Sequence, residues 1–139
     1  MAGISQAIPI AFKFDLLSII AGHTLKIALY SIAAGASLDA NTAAYTTTGE
    51  VVDASYVAGG LVLSLTSGTP VVNGSSVSLT FQDISWPASG IVADGALIYD
   101  ATNNNRAVMV IAFPGPQTAV TGTFTVQFST APAPAIQIA

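Results

Sequence analysis

The sequence contains no cysteine, so disulfide staples, thiolate nucleophiles and cysteine zinc sites are excluded, and the redox compartment is left open. Charge is nearly as scarce. Asp, Glu, Lys and Arg make up 7% of the 139 residues, against roughly 25% in an ordinary soluble domain. Three basic residues, Lys13, Lys26 and Arg106, stand against seven acidic ones. They cannot form the positive stripe that neutralises phosphates, which argues against nucleic acid as a partner. Hydrophobic residues reach 52%, yet no apolar run has the length of a bilayer span, so no membrane partner is expected. The apolar N-terminal segment has no basic stretch before Ile8, carries Lys13 and Asp15, and lacks a small-residue cleavage site. It does not read as a signal peptide.

A surface this poor in charge suits a protein covered by partners in an assembly, because a free monomer's solubility leans on interspersed charge. The competing reading is a secreted β domain coated with Ser, Thr and Asn. The length fits one domain with a core of its own.

What the chain does have is strand patterns separated by turn residues. The most distinctive stretch is 95–113, read as a β-hairpin. Gly95-Ala-Leu-Ile-Tyr99 and the run from Arg106 to Phe113 flank the turn-forming residues 100–105, Asp-Ala-Thr-Asn-Asn-Asn, and Pro114-Gly115-Pro116 is expected to stop the second strand. Residues 107–113 include no polar side chain. Both faces should therefore be dry, covered by a second layer of the same chain, with the N-terminal helix as its candidate, or, in preference, by another molecule.

Before that hairpin, residues 1–11 read as an extended arm. Phe12, Leu16, Ile19 and Ile20 recur at helical spacing up to Gly22, with a strand through Phe12 and Phe14 as the alternative. Residues 24–31 form a strand with Leu25, Ile27 and Leu29 on its core face and a wet face of Lys26, Ala28 and Tyr30. In the connection 33–45, Ser37 or Asp39 is placed to cap one helical turn over 40–44. Residues 50–52 and 61–66 are strand candidates, with Gly59-Gly60 between them suited to positive φ. Val71-Val72, Asn73-Gly74 and 75–82 give a type I′ hairpin signal. Residues 83–92 form a loop or broken strand around Trp86, and 122–129 alternate as a last strand. Residues 131–139, Pro/Ala-rich and ending in Ile136 and Ile138, form an extended arm. The fold class is all-β: an antiparallel β-sandwich, Ig-like or jelly-roll, spanning 12–129, with a short N-terminal helix and arms at 1–11 and 130–139.

Chemistry is thin. His23 is the sole histidine, so a Ser-His-Asp arrangement must use it; Ser18 and Asp15 are near, but no nucleophile elbow accompanies them, and a histidine bonded to backbone or water is the simpler reading. The carboxylates are dispersed, leaving a glycosidase pair only as a spatial possibility. Asp100 with Asn103, Asn104 and Asn105 offers oxygen ligands, but the spacing fails the EF-hand pattern and fits turn chemistry. No enzyme activity, cofactor or metal is expected. Arg106, the only arginine, is either a solvated strand-end charge or a partner of Asp94, Asp100 or a neighbouring subunit. Trp86 and Tyr99 read as core or interface anchors ahead of sugar-stacking platforms. The interface candidates are Tyr99, Arg106, Val108, Val110, Phe113, Trp86, Ile136 and Ile138.

Several motifs taken in order, Lys26-Ile-Ala-Leu-Tyr30, Leu38-Asp39 with Thr42-x-x-Tyr45, Thr48-Gly-Glu-Val51, Tyr56 before Gly59-Gly60, Phe81-x-Asp83-x-x-Trp86, Gly95-Ala-Leu-Ile-Tyr99, Asn105-Arg-Ala-Val108 and Gly122-x-Phe-Thr125 with Phe128, resemble small virion structural proteins of tailed bacteriophages. The resemblance covers roughly 12–129. It implies a non-enzymatic particle component of the head-decoration or tail-associated type. The expectation is a capsid decoration or cement protein, located in the virion on the capsid surface. It would bind the major capsid protein, copies of itself in a homo-oligomer, or both, with an arm adding a strand to a neighbour's edge. A tail, baseplate or fibre subunit is the alternative within the virion. A carbohydrate-binding or adhesion module using Trp86 and nearby tyrosines is the alternative from another class.

Overall fold

The computed structural model describes residues 3–54, 56–66, 69–87, 90–119, 122–126 and 136–138. The chain enters through a helix, α1 (Ile10–Ala21). Pro9 precedes it, and its carbonyl accepts hydrogen bonds from the Phe12 and Lys13 amides. A proline costs nothing there, because amides at a helix start lack intrahelical partners in any case. The helix therefore begins inside the stretch expected to be an extended arm. Gly22 ends it, its amide donating to the Ser18 carbonyl.

The buried face of α1 is not the one that spacing suggested. Leu17 is 1% exposed, whereas Phe12 and Ile19 are 55% and 59% exposed and Leu16 is exposed as well. The inward face carries Leu17 with Phe14, Ile20 and Ala21 against Val77 and Leu79, and it includes Lys13, whose Nζ donates to the Ser75 carbonyl at 2.7 Å. A helix apolar on nearly every side has no face selected by periodicity. The lysine, laying its stem along the core and its amine on a turn carbonyl, belongs to the buried side.

Nine strands follow among the described residues: β1 (Leu25–Tyr30), β2 (Leu61–Val62), β3 (Val71–Asn73), β4 (Ser76–Leu79), β5 (Ile84–Trp86), β6 (Val92–Asp100), β7 (Arg106–Thr118), β8 (Phe124–Val126) and β9 (Ile136–Ile138). They form sheets ordered β2-β1-β6-β7, β3-β4-β9 and β5-β8, and every pairing is antiparallel. This is a sandwich-like all-β fold with one short helix. Among the described residues no helix is long and apolar enough to cross a membrane.

The principal core lies between the four-stranded sheet and the β5–β8 pair. Leu25, Ile27 and Leu29 from β1 and Ala96 and Ile98 from β6 meet Trp86, Phe124 and Val126, as the alternation in 24–31 predicts. The opposite face of β1 corrects the expectation of a wet side. Ala28 and Tyr30 are buried with Leu97 and Tyr99 of β6 beneath Ala36, Leu38 and Tyr45. The connecting segment lies over the sheet as a thin second layer.

The central hairpin forms, with β6 paired to β7. Pro114 and Pro116 do not end β7, which runs on to Thr118. The register jumps from Gly95↔Ala112 to Ala93↔Gln117, so the proline segment is absorbed in a bulge where Gly115 has a φ of 126°. This is tolerated because β7 is an edge strand and a missing amide there breaks no central ladder. Residues 107–111 are half-buried. The cover on their second face comes from Ala36, Leu38 and Tyr45, not from α1, which packs on β4 and β3.

Smaller departures have local causes. No helical turn forms over 40–44: the Asp39 carboxylate accepts the Asn41 amide and its carbonyl accepts the Thr42 amide, an Asx-type turn. Residues 50–52 contribute only a bridge, Tyr30↔Glu50, and 61–66 only β2 and the bridge Leu65↔Phe81. The β3–β4 hairpin pairs Asn73 with Ser76, which centres its turn on Gly74-Ser75, one residue beyond the predicted Asn-Gly, with Gly74 at φ 62°. The last predicted strand is present over Phe124–Val126; 127–129 lie outside the described residues. The C-terminal arm ends in a strand. Residues 136–138 pair with β4 of the same chain, Ile138 opposite Val77 and Ile136 opposite Leu79, because the β4 edge would otherwise leave backbone groups unpaired beside a dry core.

Candidate functional site

All four tyrosines of the chain gather around one buried carboxylate, Glu50. The strand β1 supplies Tyr30, β6 supplies Tyr99, and the 45–60 segment supplies Tyr45, Tyr56 and Glu50 itself. That segment is sewn to β1 through the Ser31 amide on the Gly49 carbonyl and the Val51 amide on the Leu29 carbonyl. Two glycines allow the close approach. Gly49 has a φ of 80°, and a Cβ there would overlap Ala36; Gly60 has a φ of 76°, and a Cβ would strike the Ile27 carbonyl. Any other residue would be strained and displaced at either point.

Glu50 is 5% exposed, and its oxygens are taken. Oε1 accepts the Tyr45 hydroxyl at 2.5 Å. Oε2 accepts the Tyr56 hydroxyl at 2.6 Å and the Gly59 amide at 2.8 Å. Tyr56 oxygen in turn accepts the Leu29 amide at 3.0 Å. The Tyr99 hydroxyl donates to the Gly59 carbonyl at 2.6 Å, and its ring stacks on Tyr45 with centroids 4.8 Å apart. Tyr30 donates to the Thr46 carbonyl at 2.6 Å. Burial pushes the Tyr30 phenol up to about 12. Burial, followed by the hydrogen bond to Glu50, raises Tyr45 and Tyr56, while burial and then the Glu50 charge raise Tyr99. These phenols stay protonated and serve as donors. A carboxylate ringed by three donors has no oxygen turned to a substrate or metal, so the arrangement clasps the 45–60 segment to the sheet. The sequence offered Glu50 only as one dispersed carboxylate; its signal was the cluster of tyrosines flanking it in the chain.

His23 lies where α1 gives way to β1, and its Nδ1 meets Asp100 Oδ2 at 2.5 Å. The other Asp100 oxygen accepts the Thr102 and Asn103 amides, so this carboxylate shapes the β6–β7 turn, with Asn104 and Asn105 at φ 55° and 56°. That is the turn chemistry the loop composition suggested. The His23 ring thus bonds a carboxylate, and its amide donates to the Ile20 carbonyl. Ser18 donates to the Phe14 carbonyl inside its own helix, leaving the pair without the nearby serine. Among the described residues no three of His, Asp and Glu gather as metal ligands.

The interface candidates separate. Trp86 is 2% exposed and Tyr99 3%, so neither is a surface anchor. Trp86 lies 6.2 Å from both Tyr56 and Phe124, centroid to centroid, inside the principal core, which removes it as a sugar platform. Arg106 is exposed and pairs with neither Asp100, committed as above, nor Asp94, whose Oδ2 accepts the Ile32 amide. Val108 and Phe113 pack at the margin of the principal core and Val110 against the second layer. Ile136 and Ile138 sit in β9 on β4. Grooves flank the 36–42 segment where it crosses β7, one of about 220 Å³ between Leu38 and Val110–Ala112 and one of about 430 Å³ between Asp39–Thr42 and Ala107–Val110. The surface that sequence reasoning missed is the outer side of α1, where Phe12, Leu16 and Ile19 are exposed and continue the exposed Ile4 and Ile8 of the arm before it. No protein-family model, curated protein or solved structure matches the chain.

Proposed function

We propose that this chain is a non-enzymatic structural component of a bacteriophage particle, a decoration or cement protein that holds neighbouring capsid subunits together by apolar contact. The observation that carries the reading is the row Phe12, Leu16 and Ile19, spaced to share one side of α1 and left in water by the fold, with Ile8 exposed in the lead-in before it, on a chain with little charge. Exposed apolar rows of this kind mark contact surfaces. The polar groups with chemical potential support the same reading, since Glu50 and Asp100 are spent on internal hydrogen bonds. The motifs that resemble virion proteins fall on β1, β5 to β8, the 38–45 segment and the Glu50 clasp and not on α1, so they speak for a shared scaffold, and the outer side of α1 supplies the chain's own contact surface.

The test is location and copy number in purified particles. A label on this chain should decorate the head shell at hundreds of copies in low-resolution images. A chain absent from the particle would overturn the proposal, and one confined to a few copies at the tail would replace it with a tail or baseplate subunit.

A further inference from the structure

The C-terminal strand pairs with a single neighbour, β4. β9 is three residues long and packs chiefly against β4. Residues 127–135, which join it to β8, read Gln-Phe-Ser-Thr-Ala-Pro-Ala-Pro-Ala. Nine residues of chain span at most about 30 Å, which bounds the reach of this tether. A fold of this length has a radius of gyration of about 14 Å, so the bound allows β9 to reach a copy packed against its own. The seat is specific. β3 lies along one edge of β4 and β9 along the other, and Val77 and Leu79 of β4 are fully buried against Leu17 of α1. Donor and seat are both built into every copy, so a β9 seated on a neighbour's β4 makes the same contacts as one seated at home. The choice is governed by concentration: the tether sets a local concentration at home, and crowding neighbours compete with it.

We propose that β9 is an exchangeable strand. A dilute chain seats 136–138 on its own β4, and packed copies seat it on the β4 of an adjacent copy in the same antiparallel register, Ile138↔Val77, Gln137↔Ser78 and Ile136↔Leu79. The occupant is a second copy of this chain, because the only strand known to fit the seat is its own. The inference does not depend on the virion reading and holds for any setting that crowds copies together.

The absence of cysteine makes the test clean. Directly opposed positions of an antiparallel pair lie within disulfide reach, so S78C and Q137C report this contact alone. The double variant S78C/Q137C, oxidised when dilute, should close as a monomer, which establishes the seat. An oxidised mixture of the two single variants should give a heterodimer joined through positions 78 and 137, whose fraction of the chain rises about tenfold for each tenfold rise in concentration while exchange is the minor state. An excess of cysteine-free chain should suppress it. Closure of the double variant with no mixed cross-link up to about millimolar concentration, the range a short tether provides at home, would overturn exchange. Failure of the double variant to close would overturn the seat and the proposal with it.

Discussion

Glu50 sets the energetics of the second layer, because each of its hydrogen bonds reaches a different part of the 45–60 segment. The tyrosines that hold it are not equivalent. Tyr56 donates to Glu50 and accepts the Leu29 amide, so Tyr56→Phe strands a buried amide as well as weakening the carboxylate. The Tyr45 hydroxyl bonds Glu50, and its ring is half-buried. Tyr56→Phe should cost about 2–3 kcal/mol and Tyr45→Phe about 1 kcal/mol, since a group left unsatisfied in the core loses its full desolvation cost. Denaturant midpoints with unchanged slope would show the order, and equal losses would refute the clasp as drawn. The same phenols give a pH signature. An unfolded tyrosine releases its proton near 10.0, while Tyr30 in the fold holds it to about 12 and the other three are also shifted upward. In that window the unfolded chain binds fewer protons than the folded one. Stability should therefore be whole below pH 10 and fall as pH rises from 10 towards 12, with tyrosinate absorbance appearing together with unfolding. A denaturation midpoint unchanged across that range would contradict the shifts.

At the scale of elements, α1 makes the sharpest contrast, since adjacent leucines have opposite fates. Leu17→Ala should destabilise by about 2–4 kcal/mol, as it empties the contact with Val77 and Leu79. Leu16→Ala, on the exposed side, should stay within about 0.5 kcal/mol while reducing occupancy on particles at least tenfold when combined with Phe12→Asp. Normal occupancy by the folded double variant would detach α1 from the proposed contact. The helix itself was legible in the sequence, but its orientation was not, because a moment computed over an almost uniformly apolar segment has no direction and a buried lysine inverts the usual rule. Strands whose faces differ, such as β1 over Leu25, Ile27 and Leu29, were read correctly on their core side. Their outer side was misread where an irregular segment covers it, since a covering loop leaves no period in the sequence. Pro114 was read as a stop because a proline breaks a central ladder; only the sheet order shows that β7 is an edge. The Glu50 clasp was unread for a similar reason: its residues are neighbours in the chain, but their convergence depends on Gly49 and Gly60 bringing backbones into contact.

For the whole molecule, the scarcity of charge determines how association responds to solution conditions. With ten charged side chains over 139 residues, three basic and seven acidic, copies meeting through the α1 side or through β9 bring few ion pairs together. Screening by simple salt acts on charges and fades beyond a Debye length of about 8–10 Å at ordinary ionic strength, so it has little to act on here. Sulfate acts differently, strengthening apolar burial because it is excluded from protein surface, and warming from low temperature strengthens it too. Sedimentation of the purified chain should therefore show self-association that is nearly indifferent to a tenfold rise in sodium chloride, increases with sulfate, and increases from about 5 to 25 °C. Phe12→Asp should shift the equilibrium towards monomer without changing these trends for the remaining β9 contact. Association that collapsed in sodium chloride would instead assign the contact to the few charges, with Arg106, exposed and unpaired with its near acids, as the first residue to replace.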